Sequence, residues 1–315
     1  MQHFSTSIDT PMWFKNLTLY RFTENFILTP DAFSQKLQQM PFRPCGQQEE
    51  SSFGWTAPLG RNSDQLLHIA NGFILFCAKT EEKVLPAAVI NEMVQEKILD
   101  AEDLQGRKLS KKERTAIKEE VCFELLPKAF TFSRKTYAYI DSKNGWLIVD
   151  SASAKKAEDL LSHLRKCLGS LPVVPPVTAN KPVVVMTQWL SGEEAPADIK
   201  IEDECELRAP EQEGGIVRCK RHDLALPEIK NHLDTGKQVI KLALSWDDRL
   251  AFVVDENLSI KRLRFLDLIQ EQVADTTDFD DTEQFDAEFS IMSLELANFL
   301  PRLMALFGGE KSHVA

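Results

Sequence analysis

Two helical patterns occupy residues 86–126, inside a stretch of the chain that otherwise has strand character. Their apolar residues recur at intervals of three and four, without the alternation that marks a strand. Ser110 and Glu113 have the spacing of a capping box, which predicts that the second helix begins directly after Ser110. The short link near Gly106 makes the two helices antiparallel neighbours. We therefore expect a helical tip, projecting or bundled, inserted between strands.

Strand patterns lie on both sides of this tip. Residues 13–22 alternate apolar with polar side chains, which indicates a half-buried strand. Asn71-Gly72 predicts a hairpin turn into a buried strand, and residues 143–145 predict a second hairpin. An amphipathic helix is expected over 154–168. Residues 43–64 are rich in Gly, Pro, Ser and Gln, which indicates a loop.

The second half of the chain again has strands followed by a helix. The Pro-rich segment 171–176 cannot be helical and indicates a link between two units. Beyond it we expect a strand over 183–189, a turn at Gly214-Gly215 and a final helix from about Glu283, kinked at Pro301. Three further strands are expected over 238–245, 249–255 and 259–265. The repetition of strands followed by a helix predicts an α+β fold with mixed or antiparallel sheets and packed helices.

These patterns divide the chain into five parts. The first eleven residues are polar and unpatterned, so we expect a disordered leader there. The parts are the leader (1–11), a central α+β body (12–85 with 131–176), the helical tip (86–130), a second α+β unit (177–309) and a tail (310–315).

The net charge of the chain is unevenly distributed. The formal value is −11 over 315 residues, which by itself counts against nucleic acid as a partner, because affinity for phosphate depends on Lys and Arg. Two acidic stretches, 193–213 and 267–295, carry −7 and −10, so the other 265 residues carry +6. We expect the acids of 267–295 to lie largely off any surface that binds DNA.

Motifs for enzymatic chemistry are absent from the sequence. There is no GxxxxGK[ST], GxGxxG, GxSxG or HExxH string, and the six cysteines form no CxxC pair. We therefore expect no catalytic residue, no metal and no other cofactor. The chain also has no run of 18 apolar residues and no secretory signal, which predicts a cytoplasmic protein without a membrane partner.

Basic residues cluster at two places. Six cations fall within twelve residues at the join of the helical pair. A second cluster, residues 218–222, follows the Gly214-Gly215 turn, and strand alternation would place residues 218, 220 and 222 on one face and 221 on the other. Neither cluster has a base-reading motif, so contacts would be to the DNA backbone and independent of sequence. The residues predicted to bind DNA are Arg218, Lys220, Arg221, His222, Lys111 and Lys112.

Several strings taken together resemble the RdgC family of bacterial recombination-associated proteins. They are MWFKNLTLYRF from Met12, HIANGFILFCAKTEEKVLP from His68, LLPKAF ending at Phe130, IVDSASAKKAEDLLSHLRKCLGSLPVVP from Ile148, GGIVRCKRHDL from Gly214 and KLALSWDDRLAFVVDENLSIKRLRF from Lys241. The resemblance extends from Met12 to Gly309.

The resemblance implies a ring-shaped homodimer that encircles double-stranded DNA without sequence preference. It also implies competition with RecA-type recombinase for DNA, during recombination or replication, by a nucleoid-associated protein. Phe130 matches an aromatic residue in a contact that closes the ring. Residues 220–222 match a polar and basic stretch linked to DNA binding and to the other dimer junction, with His222 in place of a common Gln.

Two alternatives remain open beside this non-enzymatic role. The acids between Asp278 and Glu283 could hold Mg²⁺ in a nuclease, although acids are also favoured at a helix N-terminus. The second alternative is a protein-interaction module, in which the acidic surface 267–295 binds a basic partner.

Overall fold

A computed structural model describes residues 12–60, 63–210, 214–269 and 280–311. The expected leader, residues 1–11, lies outside the described residues, as do four of the six tail residues.

The first sheet (sheet 1) contains seven antiparallel strands. They follow the order β2-β4-β5-β6-β1-β7, and β3 pairs with β4 beside β2. Its strands are β1 (Thr18–Phe22), β2 (Ser51–Thr56), β3 (Leu67–Ala70), β4 (Phe73–Val84), β5 (Phe130–Asp141), β6 (Trp146–Val149) and β7 (Val173–Val174). The predicted turn at Asn71-Gly72 joins β3 to β4, and the hairpin predicted at 143–145 joins β5 to β6, so both predictions are confirmed.

The second sheet (sheet 2) contains five antiparallel strands in the order β12-β11-β10-β8-β9. Its strands are β8 (Ile199–Arg208), β9 (Ile216–Lys220), β10 (Gln238–Trp246), β11 (Leu250–Asp255) and β12 (Ile260–Phe265). The described helices are α1 (Pro30–Leu37), α2 (Ala87–Gln105), α3 (Lys111–Leu125), α4 (Ala154–Leu168), α5 (Pro182–Ser191), α6 (Pro227–Asp234) and α7 (Asp281–Leu306). The predicted α+β class with antiparallel sheets is confirmed.

Helices and sheets alternate in layers. On one face of the first sheet, Phe76 and Ile140 pack against α1 and α4, because α4 turns its apolar stripe (Leu160, Leu161, Leu164) inward. On the other face, Tyr139 contacts Phe289 of α7 with ring centroids 5.9 Å apart. Sheet 1 is therefore covered on both faces, which explains its continuous runs of buried apolar residues.

Helix α7 links the two sheets. Farther along it, Phe299 packs on Phe252 of the second sheet, with ring centroids 4.9 Å apart. By length and composition alone α7 could cross a membrane, and it is the one described helix that could. Here its apolar side chains fill the core between the sheets, and it also carries the buried Glu288 and Glu295, so its packing is that of a core helix.

The segment 12–17 joins the two sheets by backbone hydrogen bonds. Leu17 exchanges two of them with Ile260 of β12, at 2.8 and 3.0 Å, and the N–H of Leu263 donates to the carbonyl of Lys15. The N–H of Met12 donates to the buried Glu288 of α7 at 2.6 Å. The strand predicted over 13–22 is regular only from Thr18, because residues 12–17 turn away to reach β12.

The helical pair has a small core of its own. Val94, Ile98, Leu109 and Val121 are buried together between α2 and α3. The predicted capping box is present, since the Ser110 hydroxyl accepts from the N–H of Glu113 and the Glu113 carboxylate accepts from the N–H of Ser110. Strands β4 and β5 lead to the pair and stay in register up to it, where the last residue of β4, Val84, lies opposite the first residue of β5, Phe130.

Two predicted elements are wrong. Residues 183–189 form helix α5 and not a strand, because Pro182 starts the helix, the Val-rich run is buried against β10, and Gly192 ends it at φ 115°. Residues 43–64 include strand β2, whose Trp55 is fully buried. Composition indicated a loop, but pairing with β4 decides the conformation.

Candidate nucleic-acid interface

The outer face of the second sheet carries a dense set of charged side chains. The inner face packs on α7, so strand alternation turns the charged residues of the same strands outward. On β8 and β9 the pairs directly opposite each other are Glu204 with Lys220 and Glu206 with Arg218. The acids of one predicted acidic stretch therefore lie among the cations of a predicted DNA-binding cluster.

Several of these cations are held by acids on neighbouring strands. Glu206 accepts from Arg218 at 3.0 Å and from Lys241 at 2.9 Å, while Glu204 lies 2.5 Å from Arg262. The hydrogen bond from Arg262 lowers the pKa of Glu204, against the effect of burial. Burial alone would raise the pKa of Glu206, but hydrogen bonds from Lys241 and Arg218 together lower it. Both carboxylates therefore stay charged at neutral pH, and these ion pairs persist.

A groove of about 1100 Å³ runs across this face. Its lining includes the small side chains of Ala243, Ala251 and Val253, together with long charged side chains. Five cations line the groove against three acids, Glu202, Asp203 and Glu204. The cations are Lys15, Lys220, Arg221, Arg262 and Arg264.

Four of these five cations have no ion pair within the described part of the chain. Lys220 and Arg221 lie at the β9 edge, whereas Lys15 and Arg264 lie at the β12 edge, and all four are exposed. Lys220 lies opposite Glu204 and lowers the pKa of that carboxyl, but without a direct ion pair. Exposed ammonium and guanidinium groups that are not held in an ion pair are available to bind phosphate oxygens.

The structure corrects the predicted geometry of residues 218–222. Strand β9 ends at Lys220, and Arg221 adopts φ 52°, so the alternation stops there. Arg218 and Lys220 share the outer face as predicted. His222 does not join them, because its N–H donates to Asp203 and its ring turns toward Glu228 of α6, with Nε2 3.7 Å from Oε1. Arg221 lines both this groove and a neighbouring one that includes His222.

Lys15 and Arg264 were not among the predicted site residues. Arg264 lies in a small basic cluster of β12, but only the strand order reveals that β12 forms the opposite edge of the sheet. Nothing in the sequence near Lys15 indicates that residues 12–17 reach that edge.

Lys111 and Lys112 lie in the first turn of α3, on the helical pair and not on the sheet 2 face. Both are exposed, and neither has an ion pair among the described residues. Two nearby cations are neutralised, since Arg107 binds Glu113 at 2.6 Å and Arg114 binds Glu102 at 2.9 Å. The two lysines are thus free for an anion, at a different place from the groove.

Phe130 is 87% exposed at the start of β5. Its neighbour on β4, Val84, and the next residue on the same face, Phe132, are also exposed. These three side chains form an apolar surface beside the helical pair. An exposed aromatic side chain of this kind is typical of a residue that anchors a contact with another molecule.

The acids proposed for Mg²⁺ have a local structural role where the structure describes them. Asp280 accepts from the N–H of Thr282 and Glu283, and Glu283 accepts from the N–H of Asp280, so both cap helix α7. Asp278 lies outside the described residues. No group of three metal-binding side chains occurs within the described ranges.

The acidic stretch 267–295 is not a uniform outer surface. Glu295 is buried and forms a two-point ion pair with Arg249 at 2.6 and 2.5 Å. Glu288 is also buried, and it accepts from Met12 and Gln284. Glu288 and Glu295 therefore cannot contribute to an acidic interaction surface, since both are buried and hydrogen-bonded within the molecule.

A sequence model of one protein family matches residues 12–310, nearly the whole chain, and is described as "Putative exonuclease, RdgC". Three curated relatives are each called recombination-associated protein RdgC. The protein of Tolumonas auensis is 52% identical over 96% of this chain and 100% of its own length. That of Aeromonas hydrophila is 48% identical over 96% and 100%, and that of Pseudomonas aeruginosa is 46% identical over 95% and 98%.

Proposed function

The chain belongs to the RdgC family of recombination-associated proteins, and on that premise we propose that it binds duplex DNA without sequence preference. In this proposal the protein is a ring-shaped homodimer that restrains RecA-type recombinase by occupying DNA in the cytoplasm, at the nucleoid. The observation that carries the proposal is the groove on the outer face of sheet 2, with unpaired cations at both of its edges. No catalytic step is part of it.

The spacing of these cations suits a duplex. Strands β12 and β9 are separated by four interstrand spacings, which amounts to roughly 19 Å. A duplex is about as wide as this, so cations at the two edges could contact phosphates on both strands at once. Because such contacts are made to the backbone, they carry no sequence information.

The acids on the same face reduce the number of cations that can bind phosphate. Glu204 and Glu206 already neutralise Arg262, Lys241 and Arg218, so those cations hold the sheet face together more than they attract phosphate. Affinity should therefore depend mainly on the unpaired cations and should fall steeply with salt.

A double charge reversal tests the site. We expect Lys220→Glu with Arg221→Glu to weaken binding to a duplex of mixed sequence by about tenfold or more at ~100 mM salt, because two phosphate contacts become repulsive. The slope of log K against log salt should become less negative by about 2. The measurement is fluorescence anisotropy over a salt series.

The matched control changes the same charge elsewhere. Lys155 and Lys156 are exposed neighbours on α4, which packs on the far side of sheet 1. Reversal of both should leave the affinity within about threefold of the parent. Parent-like affinity of the 220/221 variant would refute the proposed site, and so would an equal loss in the control.

The family description as an exonuclease keeps the nuclease alternative open. Incubation of supercoiled and linear DNA with the protein and Mg²⁺ discriminates the two functions. We expect no nicking and no shortening. Degradation that disappears in Asp280→Asn with Asp281→Asn, but persists in the 220/221 variant, would favour the nuclease.

A further inference from the structure

Two of the six cysteines face each other across neighbouring strands. Cys205 of β8 is directly opposite Cys219 of β9, in the same register that pairs Glu206 with Arg218. Both side chains point toward the core, because alternation turns the flanking charged residues outward. The sequence separates these cysteines by more than a dozen residues, so only the strand pairing brings them together.

The geometry of this pair suits a disulfide. Directly opposite residues of antiparallel strands have Cα atoms about 4.5–5.5 Å apart, and disulfides span about 4.4–6.8 Å between Cα atoms. The two thiols are also close enough to interact electrostatically, since Cys219 contributes to the raised pKa of Cys205. Formation of the bond would therefore need only small side-chain movements. Cys77, for comparison, lies opposite Thr56 and Tyr137 and has no such partner on its neighbouring strands.

We propose that Cys205 and Cys219 are a modification site, which forms a reversible intramolecular disulfide by exchange with a small-molecule disulfide such as oxidised glutathione. In the first step the Cys219 thiolate attacks one sulfur of the oxidant, which forms a mixed disulfide and releases one thiol. In the second step the Cys205 sulfur attacks the Cys219 sulfur and displaces the second thiol. Two protein thiols are thereby oxidised, and one small-molecule disulfide is reduced to two thiols.

The surroundings of the two cysteines assign these roles. Cys219 lies on the edge strand and is partly exposed, whereas Cys205 is buried, so Cys219 is the more accessible of the two to an oxidant. Cys205 is fully buried, and burial, then the proximity of Cys219, raises the pKa of its thiol to about 12. Cys205 is therefore a poor first nucleophile but is in place to resolve a mixed disulfide at Cys219.

The disulfide would restrain β9, an edge strand of the second sheet. Within the described chain, β9 pairs only with β8, and it carries Arg218 and Lys220 on its outer face. A covalent link at Cys219 would hold this strand in its register. We expect slower hydrogen exchange of the β9 amides in the oxidised protein.

The test uses the full chain with oxidised glutathione, followed by denaturation, alkylation and mass spectrometry. We expect alkylatable thiols to fall from six to four and one peptide pair to be joined through Cys205 and Cys219, with full reversal by a reductant. Cys219→Ser should abolish this product, whereas Cys122→Ser, which removes another partly exposed thiol, should retain it.

Three results would overturn the proposal. They are a glutathione adduct that persists on Cys219 while Cys205 stays reduced, a disulfide between chains, or an intramolecular bond that uses another cysteine. Since the readout is the covalent bond, it does not depend on whether the protein binds DNA.

Discussion

At the scale of single residues, Asp150 has an unusual environment for a carboxylate. One of its oxygens, Oδ1, accepts from the N–H of Lys15 at 3.2 Å and of Asn16 at 2.9 Å, and so holds the segment 12–17 in place. Burial raises the pKa of Asp150 to about 6, although these hydrogen bonds oppose the shift. Between about pH 4 and pH 6, the carboxyl of Asp150 is therefore protonated in the folded state but ionised in the unfolded state.

This environment predicts a pH dependence of stability. Because the folded pKa of Asp150 is raised, its contribution to the free energy of unfolding falls as pH rises from about 4 to about 6, by up to ~3 kcal/mol. Asp150→Asn keeps an Oδ1 acceptor for both N–H groups but has no charge to bury. We expect the variant to be at least as stable as the parent at pH 7.5.

Urea denaturation of the parent and of Asp150→Asn across pH 4–8 measures this difference. The stability difference between variant and parent should grow through the window and then level off above about pH 6. A constant difference at all pH values would show that the carboxyl of Asp150 does not titrate there.

Individual site residues could be predicted only in part from the sequence. The alternation of 218 and 220 follows from strand geometry, and the basic cluster is visible by inspection. The partners of these residues depend on register between distant strands, and so Glu206 beside Arg218 and Lys241 could not be predicted. His222 was misplaced because a single residue with positive φ, Arg221, ends the strand.

At the scale of elements, β5 exposes Phe130 where the sheet meets the helical pair. We expect Phe130→Ala to weaken self-association by about 30-fold or more, because truncation of a central aromatic anchor costs about 2 kcal/mol or more. The variant's own folding stability should change by no more than ~0.5 kcal/mol, since the side chain is exposed.

Sedimentation velocity over a concentration series measures this association. Ile27→Ala is the matched control, because Ile27 is 86% exposed, nearly as much as Phe130. An unchanged association of Phe130→Ala, or an equal loss in Ile27→Ala, would show that Phe130 is not a dimer contact.

Elements with local signals were the most predictable part of the fold. Helix α4 has the predicted bounds, 154–168, since its apolar stripe and the glycine that follows it, Gly169, both indicate them. Helix α5 was mistaken for a strand because Val183, Val184 and Val185 favour β structure, while packing against β10 favours the helix. At this helix, burial against β10 outweighs the β preference of the valines.

At the scale of the whole molecule, the proposed ring makes a topological prediction. A dimer that encircles duplex DNA cannot leave a closed circle without opening, whereas it can slide off the ends of a linear molecule. We therefore expect complexes formed at low salt to survive a rise to high salt longer on closed circular DNA than on the same DNA linearised.

Gel filtration after the salt rise, with bound protein quantified, gives the comparison. Blocking both ends of the linear DNA should restore retention. Equal loss from circular, linear and blocked DNA would show that the dimer does not enclose its substrate.

Charge along the chain is a poor guide to charge in space. The stretch 193–213 is strongly acidic in sequence, yet Glu204 and Glu206 lie on the groove face among the cations. In the stretch 267–295, Glu288 and Glu295 are buried in the core and so lie neither on the groove face nor on an outer rim. The positions of these four acids depend on how the strands and helices pack, which the sequence does not specify directly.

The segment 12–17 has a consequence for synthesis of the protein. Its partners are Ile260 and Glu288, so the N–H of Met12 is bonded to a residue 276 positions later. At ribosomal rates of about 5–20 residues per second, the start of the chain waits roughly 15–60 s before these partners emerge. Sheet 1 can pair its strands during that time, but its hydrogen bonds to the second sheet through residues 12–17 can form only after nearly the entire polypeptide has been synthesised.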